Sequence, residues 1–292
     1  MDLRHVTSLR FSDVLADHGW RDTLLYALSL GFGQDSLDEH ELPFVYEGLP
    51  GRPLRVVPTM AVVLGWQPFW HDDPAARIDW RRIVHGEEHL TLHAPLPPEL
   101  RVRAKHRLAS VQDKGPGRGA LLQIDSELFD DDRGTHLASL SSVQFLRGDG
   151  GCGQWGTPTT PSLATIAEDA PALATVDITT SPQSALLYRV ASRDWMPIHA
   201  DPGIARAAGF TRPISHGLGN LGLACRAILR QFAAERTQGL HAIAARFVQP
   251  GLPGDTLRVE LFDDGPRRLQ FRATALERGV RLLDRGTCTL VP

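Results

Sequence analysis

A single helical run followed by four β-patterned runs constrains this fold more than anything else in the chain, and the same order of pieces recurs faintly in the first half. Between about residues 218 and 234, Leu218, Leu221, Cys225, Ile228, Leu229 and Phe232 recur at helical spacing and make one apolar face. Residues 242–249, 256–262, 269–275 and 280–291 then read as strands, set off by Gly, Asp and Pro signals. Antiparallel pairing of such runs gives a sheet whose concave side must take the helix. In the first half, residues 101–110, 120–128 and 136–146 read the same way. Leu96-Pro-Pro-Glu-Leu-Arg-Val102 answers Leu252-Pro-Gly-Asp-Thr-Leu-Arg-Val259, with one residue inserted. The pattern predicts a tandem repeat.

A Gly-, Pro- and Thr-rich stretch, residues 148–161, divides the chain almost in half. The expected division is a repeat over residues 1–150, a linker over 151–175 and a second repeat over 176–292. The first half offers only a plausible helix at 23–31 and a run at 58–65 too short to fill a sheet. It should therefore leave a trough able to hold a bulky apolar ligand. Gly219 and Gly222 predict close approach of a strand or ligand to the long helix.

Composition narrows the function. The 292 residues carry a net charge of −3 with scattered basic side chains, which argues against nucleic-acid binding. No stretch reaches the roughly 20 apolar residues that span a bilayer, and the start lacks a secretory pattern, so a cytoplasmic protein is expected. Cys152, Cys225 and Cys288 have no metal-finger spacing. Cys225, on the apolar helical face, should be a buried thiol.

The chemistry gathers between Tyr188 and Gly217. Asp194 and His199 flank Pro197, so both sit on a turn where a carboxylate and an imidazole can share one small volume. They have the makings of a water-activating pair; alternatively, Asp194 caps the turn and His199 is a polar loop residue. Gly217 opens the long helix, where a free N–H and the helix dipole favour developing negative charge. His216 beside it is a second base or a structural hydrogen-bonder. A metal site built from Asp194, His199, Asp201 and His216 is the competing chemistry, although strong metal-ligand spacing is missing. Lys114, next to the turn Gly115-Pro-Gly-Arg-Gly119, either meets a ligand phosphate or is a solvated turn residue.

Asp194-Trp-Met-Pro-Ile-His199 resembles the Asp-x-Asn-Pro-Leu/Ile-His signature of MaoC-like dehydratases and type 2 enoyl-CoA hydratases. Phe44-Val-Tyr-Glu47, Val57-Pro-Thr-Met-Ala-Val-Val-Leu-Gly65, Ile83-Val-His-Gly-Glu87, Val111-Gln-Asp-Lys114, Pro213-Ile-Ser-His-Gly217, Arg246-Phe247 and Pro253-Gly-Asp255 extend the likeness over nearly the whole chain. The resemblance implies an α+β double hotdog, two antiparallel sheets each wrapping a helix. It implies (R)-specific hydration of trans-2-enoyl-CoA, or the reverse dehydration, by Asp194, His199 and the Gly217 amide. On the same pattern His85, Gly86, Lys114, Trp195, Met196, Pro197, Ile198 and Phe247 bind substrate, with Glu47 and His216 in support. No metal or redox cofactor is expected, the CoA thioester being the substrate, and a homodimer is usual for similar proteins. A specialised branched or carboxylated enoyl-CoA, or acyl-CoA binding without turnover, are the alternatives. Two departures stand out: the family's Asn is Met196 here, and the Gly that often precedes the acid is Arg193. A thioether cannot donate, so the loss in transition-state binding is expected at about 1–3 kcal/mol.

Overall fold

Alternation of buried and exposed residues builds most of this molecule. The computed structural model describes residues 1–232 and 239–291. In chain order its elements are α1 (Leu3–Ser8), β1 (Val14–His18), α2 (Trp20–Ser29), α3 (Leu42–Val45), β2 (Ile83–Leu92), β3 (Leu100–Asp113), β4 (Ala120–Asp130), β5 (His136–Leu146), β6 (Trp155–Gly156), β7 (Ala174–Thr179), α4 (Ser184–Ser192), α5 (Pro202–Ala207), α6 (Gly217–Phe232), β8 (Leu240–Phe247), β9 (Thr256–Asp263), β10 (Arg268–Ala275) and β11 (Val280–Leu290). Tight 3-10 turns form at Pro58–Val63, Trp80–Arg82 and Pro197–His199.

The strands make one antiparallel sheet in the order β1-β3-β4-β5-β2-β8-β11-β10-β9-β7, with β6 paired to β3. Outward from the centre, β2-β5-β4-β3-β1 and β8-β11-β10-β9-β7 are one pattern run twice, as the internal similarity predicts. The fold is the expected double hotdog. The central helix of the second half is α6, whose Leu221, Cys225 and Ile228 are fully buried in one cluster with Val259, Leu261 and Phe271. Burial pushes the Cys225 thiol up to about 12, the inert core cysteine that its position predicts. The expected helix end at residues 233–234 lies outside the described residues.

In the first half the long helix is replaced by the Pro58–Val63 turn, all six residues of which are buried. Tyr26 of α2 donates from its hydroxyl to the Thr59 carbonyl at 2.9 Å. Among the described residues, Met60, Leu64 and Tyr26 are buried in one cluster with this turn, packing the place where a trough was expected. A cleft of about 260 Å³ opens instead beside the C-terminal end of α2, between Leu30, Phe32, Tyr188, His216, Gly219 and Leu223. The α6 glycines admit side chains rather than a strand, Tyr188 at Gly219 and Leu30 at Gly222, and Gly219 also borders the cleft, where the expected approach of a ligand stays open. A Cβ on Gly222 would come within 2.6 Å of the Leu30 side chain.

Segment 151–175 is fastened rather than free. It carries β6, Thr159 Oγ1 donates to Asp125 at 3.0 Å, and Leu163 and Ile166 are buried. Strands β1, β2 and β7 and helix α4 have no counterpart among the sequence-predicted elements. The run Glu87-Glu88-His89 breaks the apolar pattern of β2, yet the strand sits at the centre because partners meet those charges: Arg246 Nε donates to Glu87 at 2.8 Å, and His85 contacts Glu88 at 2.9 Å.

One buried ion pair ties α6 to the first half. Arg226, 2% exposed, donates from Nε and Nη2 to the two carboxylate oxygens of Glu41 at 2.6 and 2.9 Å, and from Nη1 to Leu30 O at 3.2 Å. The Gly33 N–H donates to Glu41 as well, at 2.9 Å. Removing one partner strands the other charge in the core. Glu41→Gln should therefore lower unfolding free energy by about 3 kcal/mol in urea melts, whereas the paired change Glu41→Leu with Arg226→Met should recover most of that loss.

Candidate active site

Helix α4 ends at Arg193, which takes the left-handed conformation at φ 58°, ψ 23°. That turn throws the chain into the loop bearing Asp194. The Asp194 Oδ1 accepts from the Met196 N–H at 3.1 Å, the capping role that its position allowed, and this leaves Oδ2 free to face His216 at 3.9 Å. Pro197 starts the 3-10 turn that carries His199. Its Nδ1 donates to the Ile214 carbonyl at 2.8 Å, which fixes the tautomer and leaves a lone pair on Nε2. The His199 ring stacks on His216, centroids 3.6 Å apart at 24°. Both the capping reading and the clustered-site reading of Asp194 are thus met by one carboxylate.

Burial dominates the electrostatics. It lowers the His199 pKa, against the raising effects of the Ile214 carbonyl and the Asp194 charge. It takes His216 down to about 3, helped by its imidazole neighbour, so His216 is neutral at physiological pH. Neither nitrogen of His216 has a hydrogen-bond partner among the described residues. The Gly217 N–H, at the start of α6, also makes no backbone hydrogen bond among them. Behind Gly217 lies Phe247, 3.2 Å from where a Cβ would stand, and His85 packs against that ring with centroids 4.6 Å apart.

The chain as a whole is similar to known proteins over most of its length. A model described as MaoC like domain matches residues 164–283, and one described as MFE-2 hydratase 2 N-terminal domain matches residues 18–148. Enoyl-CoA hydratase 2, peroxisomal, of Arabidopsis thaliana is 35% identical, with 90% of this chain and 87% of the relative covered. The chain belongs to the MaoC-like family. A second relative, 3-hydroxyacyl-thioester dehydratase Y of Mycobacterium tuberculosis, is 34% identical over 86% of this chain and 84% of its own. The crystal structure of a MaoC-like dehydratase from Phytophthora capsici superposes with a TM-score of 0.85 at 28% identity, covering 100% of this chain and 99% of the other.

Within this MaoC-like frame the sequence-predicted residues separate into groups. Asp194, His199, His216, Gly217, Phe247 and His85 converge. Trp195, Met196 and Pro197 line the exposed outer side of the loop, with Ile198 half-buried; the Arg189 guanidinium stacks 4.6 Å over Trp195. Gly86 is the bulged residue where the β2–β5 register shifts, and a Cβ there would meet Val143 O at 3.0 Å. Lys114 is exposed in the β3–β4 turn, three strands from β2 at the same end of the sheet. Glu47 is exposed and makes no hydrogen bond or ion pair with the cluster. Asp201, a candidate metal ligand, is spent capping α5, accepting from the Gly203 and Ile204 N–H groups at 2.6 and 3.2 Å.

Several contributors were missed by the sequence reading. Glu88, 4% exposed, takes the His85 Nε2–H at 2.9 Å. Tyr188, buried on α4, presents its ring 5.0 Å from His216. Trp66 Nε1 donates to the Ser192 carbonyl at 2.7 Å. The signal for Glu88 was present: once β2 is a strand, alternation sets it on the same face as buried Leu90, where a lone carboxylate demands a partner.

The buried histidines make a pH prediction. Both have folded pKa values below the ordinary 6.5, so the unfolded chain binds more protons in acid. Their contribution is whole above about pH 6.5 and is lost as pH falls toward about 3. Urea melts from pH 7.5 to 4 should show falling stability, with a shallower slope in His216→Phe. An unchanged slope in that variant would contradict the assignment.

Proposed function

We propose that this chain is a hydro-lyase of the (R)-specific type, adding water to trans-2-enoyl-CoA to give (3R)-3-hydroxyacyl-CoA, and catalysing the reverse. The observation that carries this reading is the gathering of Asp194, His199 and His216 ligand atoms within 4.8 Å of one another, with the N–H of Gly217, the residue after His216, making no backbone hydrogen bond among the described residues. Asp194 and His199 hold the water and take its proton as its oxygen bonds to C3. Negative charge then grows on the thioester oxygen, where the Gly217 amide and the α6 dipole stabilise it. The same pair returns one proton to C2 in place of the one taken from the water, and the water's other hydrogen stays on the new C3 hydroxyl, so one water is added across one double bond and no redox group is needed. The names of the Arabidopsis and mycobacterial relatives, an enoyl-CoA hydratase and a thioester dehydratase, fit this chemistry.

The acyl tail fits the cleft beside α2, which His216 borders. His85, with its ring held between Glu88 and Phe247, belongs on the thioester side. A metal-assisted reading has one observation in its favour: ligand atoms of Asp194, His199 and His216 lie within 4.8 Å of one another. Cytoplasmic placement and a homodimer remain part of the proposal, the latter checked by light scattering.

Hydration of short, medium and branched trans-2-enoyl-CoAs, followed by absorbance with chiral analysis of the product, tests the proposal. Asp194→Asn and His199→Ala should each cost at least about 100-fold in kcat while thioester binding persists. Tight thioester binding by the wild type without turnover would replace the enzyme reading by a binding one. Activity should survive a chelator; loss restored by zinc would favour the metal reading. Because burial lowers the His199 pKa, the acidic limb of kcat/KM should fall below pH 6.5. Met196→Asn should raise turnover about tenfold by adding a water-holding amide.

A further inference from the structure

The outer face of the first half-sheet carries a second constellation that the hydration chemistry does not use. Thr91 of β2, Ser139 of β5 and Glu127 of β4 stand in register on the face opposite buried Leu90, Leu140 and Leu128. From His85 to Thr91 is six residues of strand, roughly 20 Å, so this cluster is remote from the candidate active site. His136 and His93 flank it, their rings 4.2 Å apart at 34°.

The polar atoms point at one another. His136 Nε2 lies 2.5 Å from Glu127 Oε2, Ser139 Oγ donates to that same oxygen at 2.6 Å, and His93 Nε2 lies 2.8 Å from Ser139 Oγ. One ligating atom each from His93, Glu127 and His136 falls within 4.8 Å of the other two. Two imidazoles and a carboxylate, with solvent on the open side, are a zinc-type donor set. Zinc–nitrogen bonds of about 2.0–2.1 Å in tetrahedral geometry place ligand atoms roughly 3.3 Å apart. Metal binding would draw the three ligand atoms from within 4.8 Å to that spacing, with each imidazole carrying its proton on Nδ1. The supports are also present: Ser139 can keep its bond to the carboxylate, and Phe129 stacks on His136 at 4.8 Å and 22°, limiting ring rotation. The titratable neighbours include Lys105, whose ammonium lies over the Phe129 ring at 5.3 Å from its centre, and His241, whose charge acts on His93.

We propose that His93, Glu127 and His136 form a binding site for zinc or a similar divalent transition-metal ion, one that clips β2, β5 and β4 together and takes no part in hydration. Calorimetric titration of Zn²⁺ into the metal-free full-length protein tests it. One zinc equivalent should bind and raise the melting temperature by several degrees, in the wild type and equally in His199→Ala, whose own three-residue cluster is broken. His136→Ala and Glu127→Gln should each weaken binding at least about tenfold and abolish the thermal shift, with wild-type turnover of enoyl-CoA retained. Glu127→Gln keeps the side-chain shape, so it decides the matter if His136→Ala does not fold. No zinc binding, binding unchanged in Glu127→Gln, or binding lost only in His199→Ala would each overturn the proposal.

Discussion

The pairing of β2 with β8 is the constraint from which the site follows. Among the described residues it is the only ladder that joins the two half-sheets, in the register Glu87↔Arg246 to Thr91↔Ala242. A slip of one residue would turn Leu90 and Ile243 out of the core and the Glu87 carboxylate into it. Arg246 resists that slip by donating from both Nε and Nη2 to Glu87 Oε1, at 2.8 and 2.5 Å. With the register held, His85 from one half meets Phe247 from the other, and Phe247 backs Gly217 at the head of α6. The Gly86 bulge is the local adjustment that lets His85 leave the strict alternation of β2 and reach Glu88.

Sequence patterning was sufficient for elements that bury one face and solvate the other. Helix α6 and strands β3–β5 and β9–β11 follow from period alone, and the Asp194–His199 turn from its proline. Elements whose apolar pattern is broken by paired charges were not legible. β2 is the clearest case, since its Glu87, Glu88 and His89 look like a solvated loop until Arg246 and His85 are placed beside them. Likewise Glu41 reads as a surface residue, and only the fold brings Arg226 to it across 185 positions of chain. Edge strands β1 and β7 are short, and α4 carries exposed Leu186 and Val190 that blur its face. Long-range partners decide all of these, and a linear pattern does not record them.

Burial sets the two histidine clusters apart by degree, lowering the pKa of His93 as it lowers those of His199 and His216 but sealing only the inner pair from water. Around His199 and His216 it removes water, keeps both rings neutral and leaves lone pairs available, which suits proton transfer at neutral pH. That arrangement costs stability in acid, because the unfolded chain gains protons that the folded site refuses. The outer cluster of His93 and His136 is solvated and hydrogen-bonded to Glu127 and Ser139, so its rings are held without being sealed.

Arg193 and Met196, the two departures from the family signature, bear on different properties. A non-glycine residue in the left-handed region costs roughly 1–2 kcal/mol. Against this, the Arg193 side chain reaches the first half of the chain, donating to Asp22 at 3.2 Å, and Asp22 in turn accepts from the Gly19 N–H at the start of α2. Trp66 fastens the same turn from the first half through the Ser192 carbonyl, and His199 is anchored to Ile214 from the second. The loop that bears Asp194 and His199 is therefore positioned by bonds from both halves, and none of these bonds uses the side chain at position 196. Only the Met196 backbone takes part, through its N–H to Asp194. Exchange of the exposed thioether for an amide therefore leaves the anchoring of Asp194 and His199 unchanged.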